Sequence, residues 1–230
     1  MGRTLPIAVL LFLGSWNVHA QSAPAKDLPK FMGRAVTIAE PELDADGFQP
    51  KGPASVCIEG PQRQCYTAPK EFGRFPSVTV VQVKKDEPAL LFSAASGGVS
   101  GWTIHFALLR PGTGKDLEDL FLSDMDLSNQ NQHAFWTDPT LSKAAIFVTA
   151  EYVWGPEEGH YGEHRYIIST YVFGLSREID SYYLQDRYMT VRKYNLGDEK
   201  TDILVSEKQE ILTRLRRAKA ESERKPQPPH

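Results

Sequence analysis

The stretch from Ala144 to Gly174 constrains the fold more than any other part of the chain. Its sequence, AAIFVTAEYVWGPEEGHYGEHRYIISTYVFG, places two runs of β-branched and aromatic residues on either side of a polar, glycine-rich loop. In a strand, alternate residues share one face, so one face of the first run would carry Ile146, Val148, Ala150, Tyr152 and Trp154. The pattern predicts a long antiparallel hairpin at the centre of a β-sheet.

The rest of the chain after Ser55 has a similar sequence pattern, with short β-forming runs, frequent turn signals and no long helical periodicity. We predict strands near residues 55–59, 64–67, 77–84, 89–94, 101–110, 119–125, 133–137, 144–154, 165–173, 181–185 and 188–194. Strands do not alternate with helices along the sequence, so the sequence does not indicate a parallel sheet. The sequence therefore predicts a mainly β fold, an antiparallel β-sandwich, with an open β-barrel as the alternative.

One helix is predicted, near the C-terminus. Ser206 and Gln209 have the spacing of a capping box, which is typical of a helix start. One face of the following helix would be apolar, with Ile211, Leu212, Leu215 and Ala218. We expect a helix over 206–222 that docks this face on the β-domain, and a disordered tail over 223–230, which is rich in proline.

The N-terminus has the three parts of a signal peptide in the expected order. Arg3 supplies the charge, Leu5–Leu13 is apolar, and Val18-His19-Ala20 is typical of a cleavage site. The apolar part is too short to span a bilayer, which takes about 20 residues. We therefore predict a signal peptide over 1–20 and a secreted or periplasmic protein with no stable membrane insertion after its removal.

Between the signal peptide and the β-domain, the composition is small, polar and rich in turn residues. We interpret 21–54 as a linker with a possible edge strand near 32–39, and 55–205 as the β-domain. After removal of the signal peptide the formal net charge changes from −3 to −4, because one arginine is lost. Acidic and basic residues are interspersed, so nucleic-acid binding, which needs a concentrated basic field, is not expected.

The two cysteines, Cys57 and Cys65, lie in CIEGPQRQC. Gly60-Pro61 provides a turn between them, and export makes a disulfide the expected state. A redox or metal role would need CxxC spacing or further thiolate ligands, which the sequence lacks. We therefore predict a disulfide between Cys57 and Cys65.

The loop of the central hairpin holds the closest pair of histidines in the chain. His160, His164 and Glu163 are candidate ligands for a divalent metal, since imidazole nitrogen and carboxylate oxygen suit zinc. However, Gly159 and Gly162 oppose a helix, and the glutamate adjoins the second histidine, so the zincin motif is absent. The alternative is a solvated hairpin tip with His164 hydrogen-bonded at a strand end.

Other catalytic motifs fail. Gly98-Val99-Ser100-Gly101-Trp102 lacks the last glycine of a nucleophile elbow. A serine hydrolase triad could be assembled from Ser100, His105 and Asp138, but nothing in the sequence selects these three residues. The absence of matching motifs favours a non-enzymatic protein.

Tyrosines and tryptophans are spread through the β-region, and an exposed row of them suits a protein or glycan partner. Tyr182 and Tyr183 would face opposite sides of a strand, so only one of the two should be buried in a one-sided core.

The sequence leads to two alternative hypotheses for the function. The first is an exported, non-enzymatic domain with a binding or structural role, an unknown extracytoplasmic protein or glycan as partner, and no cofactor. The second is a metal-dependent hydrolase that uses His160 and His164 as ligands, with Glu163 or Glu158 as ligand or base.

Overall fold

A computed structural model describes residues 28–47, 49–98, 101–128, 131–156, 158–159, 162–174, 180–195 and 202–224. The predicted signal peptide, His160, Ser100 and the end of the predicted C-terminal tail lie outside these ranges. In the described part of the chain, no helix is long and apolar enough to cross a membrane.

Three antiparallel sheets follow one another along the chain, each built mainly as a meander. Sheet 1 contains β1 (Lys30–Phe31), β2 (Arg34–Ala39), β3 (Ser55–Ile58) and β4 (Gln64–Thr67). Sheet 2 contains β5 (Arg74–Lys84), β6 (Glu87–Gly98), β7 (Gly101–Pro111) and β8 (Leu117–Asp119), and β9 (Met125–Ser128) pairs with the same edge of β7 as β8, nearer the start of β7. Sheet 3 contains β10 (Gln132–Trp136), β11 (Ile146–Val153), β12 (Glu163–Phe173) and β13 (Tyr182–Met189), and β14 (Tyr194–Asn195) pairs with β12. The helix α1 (Ile203–Arg224) follows. The prediction of a mainly β, antiparallel sandwich with one C-terminal helix is confirmed.

Three apolar cores hold these layers together. The first joins sheets 1 and 2 through Val36, Val56, Ile58, Leu90, Phe92 and Leu109. The second joins sheets 2 and 3 through Leu91, Phe106, Leu108, Phe147, Phe173 and Tyr182. The third joins sheet 3 to α1 through Ile146, Val148, Tyr166, Ile168, Ile211 and Leu215. Sheet 2 is therefore buried on both faces, which explains why β6 and β7 contain continuous apolar runs.

The central hairpin is confirmed. Val148 pairs with Thr170 and Tyr152 with Tyr166 across β11 and β12. The apolar face that begins at Ile146 packs against α1 in the third core. Tyr182 is 1% exposed and Tyr183 is 37% exposed, so the prediction that only one of this pair is buried is also confirmed.

The cysteines face each other across β3 and β4 and form the predicted disulfide, with a Cα separation of 4.1 Å. The disulfide closes the Gly60-Pro61 turn at the end of sheet 1. Disulfides of this kind are typical of proteins outside the reducing cytosol.

Two local predictions are wrong. The strand expected over 119–125 is interrupted, because Asp119 Oδ1 accepts the N–H groups of Leu108 and Phe121 at 3.0 Å and ends β8. Its remainder, β9, begins only at Met125. The strands expected near 181–185 and 188–194 also differ, since β13 is continuous from Tyr182 to Met189.

The helix starts earlier than the capping box predicts. Asp202 Oδ1 accepts the N–H of Val205 at 3.0 Å and caps α1. Ser206 lies inside the first turns, where its hydroxyl donates to the Asp202 carbonyl oxygen. The physical reason is that Ile203 and Leu204 are buried, so tertiary packing extends the helix beyond the local start signal.

Candidate functional site

The first candidate site is an aromatic pair at one end of sheet 2, in which Phe75 is exposed and Trp102 is partly buried. Phe75, near the start of β5, is 59% exposed, although large apolar side chains are usually buried. Its ring centroid lies 4.5 Å from that of Trp102 at the start of β7. The guanidinium of Arg74 lies 5.9 Å from the Phe75 ring and 6.0 Å from the Trp102 ring. Tryptophan and arginine are enriched among residues that dominate binding energies at protein interfaces.

The backbone holds Phe75 in this position at a cost. Its φ angle is +46°, in the left-handed region that a bulky residue adopts rarely. The pairing of β5 with β6 shifts register between Arg74 and Ser77, and the Phe75 N–H donates to Glu40 Oε1 at 3.1 Å. A strained backbone of this kind costs about 1–3 kcal/mol and is found preferentially at functional sites.

The strand that follows Phe75 lies at the edge of sheet 2. In the described part of the chain, β5 has β6 as its only strand partner along most of its length. Thr79, Val80 and Gln82 are exposed, and the edge is closed again where the Ala145 N–H donates to the Val83 carbonyl oxygen at 2.6 Å. An edge strand presents backbone N–H and C=O groups with which an extended segment can pair.

The second candidate is the predicted metal site at the tip of the central hairpin. His164 is completely buried, and its Nδ1 lies 3.1 Å from Glu158 Oε2. The same carboxylate accepts the Gly155 N–H at 2.7 Å and a hydrogen bond from Lys193 Nζ at 2.7 Å. These hydrogen bonds, of which the one from Lys193 has the largest effect, lower the pKa of Glu158 to about 2. Glu158 is therefore a stable acceptor that orients the imidazole.

The other ring nitrogen of His164 is the unusual feature of this site. Neither His164 Nε2 nor the Tyr166 hydroxyl has a hydrogen-bond partner among the described residues. Both side chains lie on the same face of β12, and the rings of Trp154 and Tyr152 stand 5.3 and 5.6 Å from the imidazole. When Nδ1–H donates to Glu158, Nε2 carries the lone pair. A carboxylate that holds the second nitrogen in this way is typical of metal-binding histidines.

The remaining predicted ligands do not join His164 in the described structure. Glu163 precedes His164 in β12 and is exposed, so the two side chains project from opposite faces of the strand. His160 lies outside the described residues. Within the described ranges, no group of three or more histidine, cysteine, aspartate or glutamate side chains is placed to hold a metal ion.

The third candidate is a buried polar relay that the sequence does not reveal. His105, on β7, is 1% exposed. Its Nδ1 lies 2.6 Å from Asp126 Oδ1 on β9, and its Nε2 lies 2.8 Å from the Tyr66 hydroxyl on β4. Because an ionised carboxylate can only accept, we assign Nδ1–H as the donor to Asp126 and Nε2 as the acceptor from Tyr66. The relay links sheet 1 to sheet 2.

Its electrostatics oppose nucleophilic catalysis. Burial, with smaller contributions from Asp119, Asp124 and Asp126, raises the pKa of Tyr66 well above its ordinary value. A phenol in this environment stays protonated and is a weak nucleophile. The alternative triad member Asp138 is bonded to Thr140 and Arg216 instead. The geometry of the relay thus supports packing of the sheets more than chemistry at Tyr66.

The chain finds no match among protein-family models, curated proteins or solved structures.

Proposed function

We propose that the protein is an exported, non-enzymatic binding domain, and that its β5 edge and the Phe75–Trp102 pair hold an extended segment of a protein partner. The observation that carries this proposal is Phe75 itself, a bulky side chain held exposed at a positive φ angle. Neither burial nor backbone preference explains that conformation. A partner side chain packed on the aromatic pair would bury the ring and give the strained conformation a role.

The adjacent edge of β5 favours a protein over a glycan. An extended peptide can pair its amide groups with the outer edge of the strand while alternate side chains contact exposed residues such as Val80. A sugar can stack on an aromatic ring, but it has no regular row of amides to pair with an edge. Arg74, above the two rings, would additionally meet a carbonyl or carboxylate of the partner.

Export is part of the proposal. It rests on the signal-like segment that ends at Ala20 and on the disulfide between Cys57 and Cys65. A secreted or periplasmic location would place the β5 edge among extracytoplasmic partners.

Site-specific cross-linking in the native host tests the binding proposal. A photoactivatable amino acid at Thr79, on the exposed edge, should yield a covalent adduct with one protein, identified by mass spectrometry. The adduct should disappear in Phe75→Ala and Trp102→Ala variants, and the same probe at Thr213, exposed on α1, should not give it. An adduct that survives both substitutions would contradict the proposal. If no adduct forms and the purified protein instead binds an immobilised glycan in a Phe75-dependent manner, the partner is a glycan.

The second candidate function is the metal-dependent hydrolase, with His160 and His164 as ligands and Glu163 or Glu158 as ligand or base. Two observations favour it: His164 Nε2 has no hydrogen-bond partner among the residues that the structure describes, and a carboxylate holds Nδ1. If it holds, purified protein contains a divalent metal, and zinc at about 100 times its dissociation constant stabilises the fold by about 2.7 kcal/mol. A His160→Ala variant should lose this stabilisation. Metal-free protein with no thermal shift on addition of zinc or calcium would rule the hydrolase out.

A further inference from the structure

A groove of about 470 Å³ lies on the opposite side of sheet 3 from sheet 2, beside the second half of α1. Its walls come from three parts of the chain: the 139–143 loop, the neighbouring ends of β12 and β13, and α1. The apolar part of the lining consists of Pro139, Leu141, Val172, Phe173, Tyr183, Leu215 and Ala218. This volume falls within the range of about 300–1,000 Å³ that is typical of small-molecule sites.

The path of α1 explains why the groove stays open. Arg214 of α1 binds Asp186 on β13 with a nitrogen–oxygen distance of 2.6 Å. The next turns of α1 contact the 139–143 loop instead, because Lys219 Nζ donates to the Thr140 carbonyl oxygen at 2.8 Å. Val172 on β12 pairs with Tyr183 on β13, and both residues line the groove beside these turns of α1. As a result Tyr183 keeps 37% of its surface exposed.

The charged groups that line the groove in the described part of the chain all have one sign. Lys143 and Lys219 are exposed and line it, and among the described residues no acidic side chain is part of the lining. Asp138, in the adjoining loop, is held by Arg216 at 3.3 Å. The hydrogen bond from Lys219 to Thr140 uses one of its three N–H donors, so the ammonium group retains donors for a ligand.

We propose that this groove binds a free fatty acid. The hydrocarbon tail lies along Val172, Tyr183 and Leu215, and the carboxylate sits between Lys143 and Lys219. Apolar walls with two cations and, within the described ranges, no acid complement this ligand class, because the tail leaves water while the charge is neutralised. A cationic amphiphile would meet like charges, and a neutral one would gain nothing from the lysines. The site lies on sheet 3 and α1, so it is independent of the β5 edge.

Calorimetric titration of the delipidated full-length mature protein with dodecanoate tests the proposal. We expect saturable binding of one molecule per chain, weakened by added salt because the charges are screened. Dodecanol and dodecyltrimethylammonium should bind at least about tenfold more weakly. The Lys143→Glu/Lys219→Glu double variant should weaken dodecanoate binding about tenfold or more, whereas Lys70→Glu, an exposed change outside the groove, should not.

A second variant tests the apolar part of the groove. Ala218→Trp places a large side chain on the helix wall and should abolish binding of dodecanoate with the thermal unfolding midpoint preserved, because Ala218 is only partly buried. Absence of binding up to about 1 mM dodecanoate would overturn the proposal. Equal affinity for dodecanol and dodecanoate, or unchanged affinity in the double lysine variant, would also overturn it, since the lysines would then select nothing.

Discussion

The Nδ1 atom of His105 lies 2.6 Å from Oδ1 of Asp126, and this contact joins β7 to β9 at a point where the histidine has no access to water. Asp126→Ala would remove the acceptor and leave a buried N–H group unpaired. We expect it to lower the free energy of unfolding by about 1–3 kcal/mol, measured by urea denaturation. Asp124→Ala, a change to an exposed acid of the same segment, serves as the control and should cost less than about 0.5 kcal/mol. Equal effects of the two variants would show that the relay does not stabilise the fold.

Asp119 makes stability depend on pH. Burial raises the pKa of its carboxyl from 3.8 to about 6 in the folded protein. Between these values the folded chain binds more protons than the unfolded chain, so the contribution of Asp119 to stability falls as the pH rises from about 4 to about 6. Asp119→Asn keeps an oxygen for the N–H groups of Leu108 and Phe121 but does not titrate.

The stability of the Asp119→Asn variant relative to the native protein should therefore increase across this window, by as much as about 2–3 kcal/mol. Urea denaturation at several pH values between about 4 and 7 measures the difference. Parallel stability curves for the two proteins would contradict the assignment.

The disulfide should contribute stability through the unfolded state. Cys57 and Cys65 are eight positions apart, and in the chain-entropy model closure of so short a loop is worth roughly 2–3 kcal/mol. The Cys57→Ala/Cys65→Ala protein should lose about that much free energy of unfolding. Mass spectrometry of the protein isolated from its native host should show the two cysteines bonded to each other, and free thiols would contradict both the pairing and the proposed location.

Phe75 and Phe72 provide a matched pair of substitutions. Phe72 is 3% exposed in the first core, so Phe72→Gly should cost at least about 3–5 kcal/mol. Phe75→Gly relieves the strain of its positive φ angle while losing the Trp102 contact, and we expect the free energy of unfolding to change by less than about 1 kcal/mol. The cross-link from Thr79 should nevertheless disappear in this variant. A large loss of stability in Phe75→Gly would mean that the residue has a structural role.

Two substitutions at the start of α1 separate the capping residue found in the structure from the one expected from the sequence. Asp202→Ala should lower stability by about 1 kcal/mol, because the Val205 N–H loses its acceptor. Ser206→Ala should cost less than about 0.5 kcal/mol, since its hydroxyl only donates to a carbonyl within the helix. Thermal or urea denaturation of both variants shows whether Asp202 or Ser206 caps the start of α1.

The candidate sites were only partly visible in the sequence. His164 could be singled out because a nearby histidine, carboxylates and glycines surround it in the chain. The relay of Tyr66, His105 and Asp126 could not, because its members are 39 and 21 positions apart and no local pattern links them. The exposed Phe75 was equally hidden, since it lies just before the strand predicted over 77–84 and no local pattern marks its positive φ angle.

The sequence by itself determined most of the strands, which side chains share a face, and that the two cysteines can meet, because these properties depend on neighbours within a few residues. Only the tertiary structure decided how the strands divide into three stacked sheets. The residues from Ser77 to Lys84 carry β-branched side chains on both faces, as expected of a strand inside a sandwich, and only the structure shows that β5 lies at the edge of sheet 2. The alternation of side chains specifies two faces of a strand but carries no information on which strand pairs along each edge.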